Sequence, residues 1–239
     1  MLISSEAIVL SSLKYGDSNL ITHLYTRNSG LKAYLLRGIL KTRKGKIRTS
    51  LFQPLTLLDI EASHKNKGNL ERLREAKVLI PYKTIHTNFV KNSLVFFLAE
   101  MIRNSVKEEE SNPTLFDYIK TALLWLDLHT EVVNFHLTFL IKLTQFLGFY
   151  PDTSSKTEAY FNLMTGVFQN TYESGYTKRG DDIEAFKIFL GTNFDECNQI
   201  KLTRKIRNQV LEVVLMYFEL HLHGFKKPKS LQVLNEIFK

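Results

Sequence analysis

Two hydrophobic periodicities divide the chain near Pro81. Before it, apolar residues come in short β-branched and aromatic runs: Ala7-Ile8-Val9-Leu10, Leu20 to Tyr25, and Leu31 to Leu36. Turn chemistry bounds them, with Tyr15-Gly16-Asp17-Ser18 after the first and Asn28-Ser29-Gly30 after the second, which predicts strands joined by tight turns. A fourth run, Pro54 to Ile60, alternates in part. The polar stretch Lys65-Asn66-Lys67-Gly68-Asn69 then predicts another hairpin turn into a fifth strand through Leu70, Leu73 and Val78-Leu79, ending at Pro81. Five short strands in so few residues suit a small closed barrel better than a sandwich, which usually has about seven or more.

After Pro81 the period lengthens to that of a helix. Phe89, Leu94, Phe97, Leu98, Met101 and Ile102 predict a helix near 83–106. Asn112 caps a second that opens at Pro113, where a missing N–H costs nothing. A third, over 131–147, stops at Gly148. Residues 149–181 are aromatic but irregular, with Ala159–Met164 and Gly166–Phe168 able to pair as a hairpin. Short helices near 182–191 and 230–238 flank a long one at 203–222.

Charge adds what periodicity does not. The chain carries a net +8, and residues 1–80 hold 14 Lys/Arg against 6 Asp/Glu, so the whole excess lies in the strand-rich third. Such segregation points to a polyanionic partner. It is densest between the third and fourth strands. Six of the twelve residues from Arg37 to Arg48 are basic (Arg37, Lys41, Arg43, Lys44, Lys46 and Arg48) and none is acidic. With two glycines and few apolar residues, this segment reads as a loop that can follow a phosphate backbone and release its counterions. Lys14, Arg72 and Arg74 extend the patch. Tyr15, Tyr25, Tyr34 and Phe52 could stack bases if they point outward, core filling being the ordinary alternative. No pattern for reading base edges accompanies the loop, so contacts to phosphates and sequence-tolerant binding are expected.

Catalytic motifs are lacking. The sequence has no phosphate loop of the GxxxxGK[ST] kind, no GxSxG and no HExxH. Its seven histidines are scattered, and Asp181-Asp182 reads as a helix start. The single cysteine, Cys197, permits no internal disulfide and no zinc site with two thiolates, and fits a reducing cytoplasm. No apolar run reaches the roughly 18 residues that span a bilayer, and the start does not read as a signal peptide. A non-enzymatic protein with no cofactor, no metal and no membrane is expected.

Several segments together resemble the RecO family of bacterial DNA-repair proteins, nearly end to end. These are Ala7-Ile8-Val9-Leu10 with Lys14-Tyr15-Gly16-Asp17-Ser18, Leu20-Ile21, Leu24-Tyr25-Thr26 and Gly30; Arg37-Gly38 and Leu51-Phe52-Gln53-Pro54; Phe97 to Met101; Leu147-Gly148-Phe149-Tyr150-Pro151-Asp152; and Tyr217 to Leu222 with Lys229-Ser230-Leu231. The resemblance implies an α+β protein: a five-stranded OB-type β-barrel over 1–80, then an all-helical domain over 81–239 with a small cysteine-free insert at about 149–181. Many members carry two cysteine pairs there, in a zinc-ribbon-like insert. Here the stretch has none, and Tyr160, Phe161, Leu163, Val167 and Phe168 are expected to pack in the metal's place.

The resemblance further implies a recombination mediator that binds single- and double-stranded DNA, anneals complementary strands and assists RecA loading onto DNA coated by single-strand-binding protein. It would be cytoplasmic and nucleoid-associated during repair. Its partners would be RecR, the acidic, apolar C-terminal tail of the single-strand-binding protein, and, in lineages that have it, RecF. Lys142 and the Arg204, Lys205 and Arg207 cluster are the candidates for holding that tail. Residues alone leave three alternatives: an OB-type RNA-binding translation factor, an adaptor whose basic loop grips an acidic protein, and a nuclease.

Overall fold

The computed structural model describes residues 1–41, 47–65, 70–107, 110–173 and 175–237. They form two compact units, Met1–Leu128 and His129–Lys239.

The first unit is built on a five-stranded antiparallel sheet, β1 (Leu2–Tyr15), β2 (Asn19–Thr26), β3 (Gly30–Leu36), β4 (Leu57–Ser63) and β5 (Arg72–Val78), in the order β3-β2-β1-β4-β5. The sheet curls until its ends meet. Glu71 N–H donates to Ala33 O (2.8 Å) and Leu35 N–H to Glu71 O (3.1 Å), a parallel bridge beside Tyr34 that joins β3 to the start of β5. This is the OB topology, a sheet closed into a barrel that leaves little edge unpaired. A turn of 3-10 helix at Thr49–Phe52 lies between β3 and β4, where it presses Phe52 into the barrel with Val9, Leu24, Tyr34, Leu36, Leu58 and Leu73.

Strand alternation sends the other set of side chains outward. Ile8, Leu10, Tyr25 and Leu57 are nonetheless buried, outside the barrel cluster, because helices cover that wall. α1 (Phe89–Ser105) and α2 (Pro113–Leu128) supply the cover, with Phe116 packed 6.1 Å from Tyr25. Arg27 grips Asp117 through two bonds (3.1 and 2.8 Å), and Lys120 meets Glu6 at 2.8 Å.

In the second unit α3 (Phe135–Phe146), α4 (Asp181–Phe189), the short α5 (Phe194–Cys197) and α6 (Arg204–His221) enclose an apolar core, and α7 (Leu231–Ile237) follows. Thr203 caps α6, its hydroxyl accepting from Ile206 N–H at 3.3 Å. The insert is a three-stranded sheet of β6 (Tyr160–Asn162), β7 (Val167–Gln169) and β8 (Thr177–Lys178), in the order β7-β6-β8. Phe161, Leu163 and Phe168 are buried, and the Phe161 ring lies 4.6 Å from Phe168, 5.2 Å from Phe186 and 5.7 Å from Tyr217. A zinc ribbon does not fit: the only cysteine, Cys197, is buried in α5. Tyr160 and Val167, expected in that packing, are only half buried. Gly166, at φ +72°, could not be replaced, since a β-carbon there would strike the Tyr217 hydroxyl.

Several boundaries differ from expectation for physical reasons. β1 runs the whole of Leu2–Tyr15 because Leu2 to Ile8 pair with β4 and Ala7 to Tyr15 with β2, the second pairing interrupted by a bulge at Leu10. β4 begins at Leu57 rather than Pro54, because Leu55 adopts φ 57° and donates its N–H to Val9 O at 2.7 Å. α1 begins at Phe89 rather than 83, because Asp127 takes the N–H groups of Lys83, Thr84 and Ile85 (2.8, 2.8 and 3.0 Å). β8 and α5 were not expected at all; two and four residues are too few to show a period.

Candidate nucleic-acid interface

The β2–β3 hairpin and the turn before it position the basic residues. Across the sheet Lys14 pairs with Leu20, and Leu20 with Leu36, the residue before Arg37. Two strand spacings, roughly 10 Å, thus separate the backbones of Lys14 and Leu36. Beyond Arg37 the chain folds back over the β1–β2 turn: Gly38 N–H donates to Asn19 Oδ1 (2.9 Å) and Leu40 N–H to Ser18 O (3.0 Å). That fold-back draws Lys41 toward the same turn. Arg48 immediately precedes the 3-10 turn, which is fastened to β1 by Ser12 Oγ donating to Phe52 O at 3.1 Å. Lys14, Arg37, Lys41 and Arg48 are all exposed, and these backbone ties gather them around one end of the barrel. Asp17, in the turn, is a carboxylate at the same end.

Arg72 and Arg74 stand across the closing seam. The parallel bridge pairs Tyr34 with Glu71, so Arg37 and Arg74 each lie three residues beyond it in the same direction. Arg74 is the extra residue of a bulge, because Glu61 pairs with Glu75 and Ala62 with Leu73. Both arginines are exposed, but the outward Asp59 and Glu61 of β4 lie beside their strand and offset part of their charge. Arg43, Lys44 and Lys46 lie outside the described residues.

The aromatic expectation is corrected for three of its four residues. Tyr25, Tyr34 and Phe52 are buried, the first under α2 and the others inside the barrel, so none can stack a base. Tyr34 hydrogen-bonds His64 Nε2 at 2.8 Å, and burial raises its hydroxyl pKa well above the usual range. Burial likewise pulls His64 down, with Glu71 opposing. Tyr15 alone stays 54% exposed, at the end where Lys14 and Arg37 gather.

In the second unit, the four cations expected to hold an acidic tail fare differently. Lys205 is exposed. Arg204 is exposed and donates to Asn235 O at 3.1 Å. Lys142 is half buried, its Nζ 5.7 Å from the Phe194 ring centroid. Arg207 is engaged inside the fold: its Nε donates to Asn134 Oδ1 (3.0 Å) and an NH2 to Leu202 O (3.2 Å), while Asn134 itself donates to the carbonyls of Cys197 and Ile200 (2.9 and 2.8 Å). This network locks the chain between α5 and α6. Sequence reasoning also missed an aromatic and cationic group on the outside of the insert, because its members come from β6, from the segment after β7 and from the residues beside β8, and no local spacing links them.

Among the described residues, no three His, Cys, Asp or Glu side chains converge as metal ligands would, and no helix is long and apolar enough to cross a membrane.

The chain matches two family models, Recombination protein O N terminal over residues 1–82 and Recombination protein O C terminal over residues 86–232. It is 48% identical over 238 residues to the DNA repair protein RecO of Christiangramia forsetii, 42% over 239 residues to that of Flavobacterium johnsoniae, and 33% over 241 residues to that of Phocaeicola vulgatus, each alignment covering all of both chains. With an OB barrel, a helical remainder and full-length relatives of one description, the chain belongs to the RecO family of DNA repair proteins and has a role in recombinational repair.

Proposed function

We propose that this protein is a non-catalytic mediator that binds single- and double-stranded DNA without sequence preference through the basic end of its barrel. On this reading residues 1–80 are the DNA-binding domain, and Lys14, Arg37, Lys41, Arg43, Lys44, Lys46, Arg48, Arg72 and Arg74 are its grip. The observation that carries the reading is the gathering of Lys14, Arg37, Lys41 and Arg48 at one barrel end, in the part of the chain that holds all the excess charge. Phosphate contacts of this kind set position and affinity but carry no base information. Two strands whose charges are neutralised on one protein repel each other less, so complementary strands can pair while both stay bound. Annealing then needs no covalent step. The same grip would hold a strand while RecR, the tail of the single-strand-binding protein and, where present, RecF help pass it to RecA. Lys142, Arg204 and Lys205 remain the candidates for that tail, whereas Arg207 serves chiefly the fold.

The test compares wild type with a variant in which Lys41, Arg43, Lys44, Lys46 and Arg48 are alanine, in binding and annealing of complementary oligonucleotides across a salt series. The slope of log K against log salt should flatten by about 0.7 to 0.9 for each phosphate that the variant no longer neutralises, and annealing should fall with it. Unchanged slope and annealing in a folded variant would move the site elsewhere. Absence of DNA binding by the wild type would favour the adaptor instead.

A further inference from the structure

The three-stranded insert has two faces of different character. The inner one, Phe161 and Phe168, is core. The outer one carries aromatic rings that core packing does not explain. Tyr160 lies 6.0 Å from Tyr172, ring centroid to ring centroid, at 55°. Arg179 stands with its guanidinium 5.2 Å from the Tyr160 centroid and donates to the Tyr160 hydroxyl at 2.8 Å. Tyr172 is 64% exposed, and Tyr176, just before β8, is 45% exposed. The nearby carboxylate of Glu173 accepts from the Asn162 amide at 3.1 Å.

We propose that this face is a second contact for single-stranded nucleic acid, with Tyr172 as the ring on which a base stacks, Arg179 as its phosphate contact and Tyr160 as the residue that positions both. The proposal rests on the DNA-binding reading above and adds to it a site in the second unit. The chemistry selects the occupant. An exposed phenol offers a flat π-face to any base, which makes stacking tolerant of sequence. A guanidinium has five N–H donors, so Arg179 can hold Tyr160 and still present donors to a phosphate. Lys178 lies opposite Phe161 and so belongs to the inner face, and the exposed Asp181 follows two residues after Arg179, so the phosphate contact rests on Arg179 alone. A protein side chain would instead call for a pocket, and these rings sit on the outside of a short sheet.

Stacking and phosphate contact leave different signatures, which separates this site from the barrel. The full-length protein is titrated with a thymidine oligonucleotide and with an abasic strand of the same length, each across a salt series. Tyr172→Ala should weaken binding of the thymidine strand about fivefold or more, keep the wild-type salt slope, and leave binding of the abasic strand unchanged. Tyr172→Phe should restore the affinity, and Arg179→Ala should reduce the slope by the equivalent of about one phosphate. Because Tyr172 is largely exposed, both tyrosine variants should melt with wild type. Wild-type binding of the thymidine strand by Tyr172→Ala, an equal weakening on the abasic strand, or failure of Tyr172→Phe to restore would each overturn the proposal. The barrel variant read beside them isolates the other reading: if it keeps the wild-type slope and affinity while Tyr172→Ala still weakens binding of the thymidine strand, the barrel assignment fails and the Tyr172 effect stands. No nucleic-acid binding by wild type would end both.

Discussion

His136 shows what burial does to one side chain. It sits in α3 almost without solvent contact, and burial first, then the nearby Arg207 cation, push its pKa down to about 3 from an ordinary 6.5. The unfolded chain therefore takes up a proton near pH 6.5 that the folded protein refuses until far lower. Stability from this residue is complete above pH 6.5 and declines as pH falls toward 3, at about 1.4 kcal/mol per unit. Wild type should lose about 2 kcal/mol more than His136→Leu between pH 7 and pH 5 in urea denaturation; parallel losses would refute this account of the buried imidazole. At the same scale, side-chain identity told less about function than orientation did. Tyr15 and Tyr25 are the same residue on one hairpin, and only the first faces water.

At the scale of the element, the segment between β5 and α1 is held by a single carboxylate. Asp127, near the end of α2, accepts from three consecutive backbone N–H groups, and Lys91 Nζ donates to its carbonyl (2.9 Å) and to Thr84 Oγ1 (2.6 Å). Burial alone would raise the Asp127 pKa, but those N–H groups and the Thr84 hydroxyl outweigh it and hold the carboxyl below its usual range. Asp127→Ala would strand three donors and should cost about 3 kcal/mol or more. Asp127→Asn, which still accepts through one oxygen, should cost less. A denaturation midpoint near wild type for the alanine variant would show that water replaces the carboxylate. Element types were readable from period, as the Asn112 cap was, its Oδ1 accepting from Leu115 N–H at 3.0 Å. The start of α1 was not, because the competing partner lies about forty residues away in sequence.

At the scale of the molecule, two divisions of the chain coexist. The family models change over between residues 82 and 86, where the period shifts from strand to helix, whereas packing groups α1 and α2 with the barrel. The cause is the outer barrel wall: Ile8, Leu10, Tyr25 and Leu57 face away from the barrel interior and need a cover. Residues 1–128 made alone should melt cooperatively, while residues 1–82 should expose that wall, bind a hydrophobic dye and aggregate. A monomeric, cooperatively melting 1–82 fragment would show that the barrel needs no helices.

What the sequence determined by itself is what depends on neighbours along the chain. Strand and helix periods, turn residues, the charge segregation into residues 1–80 and the lack of paired cysteines in the insert are all local or additive. Tertiary structure alone decided which distant groups meet. It closed the barrel between Ala33, Leu35 and Glu71, buried three of four barrel aromatics (two inside the barrel and Tyr25 under α2), committed Arg207 to Asn134, and set Arg179 against Tyr160 on the insert. Each of those outcomes is a choice among partners that hydrophobic burial and hydrogen bonding settle only once the whole chain is packed, because burial is a property of the assembled surface and not of any segment.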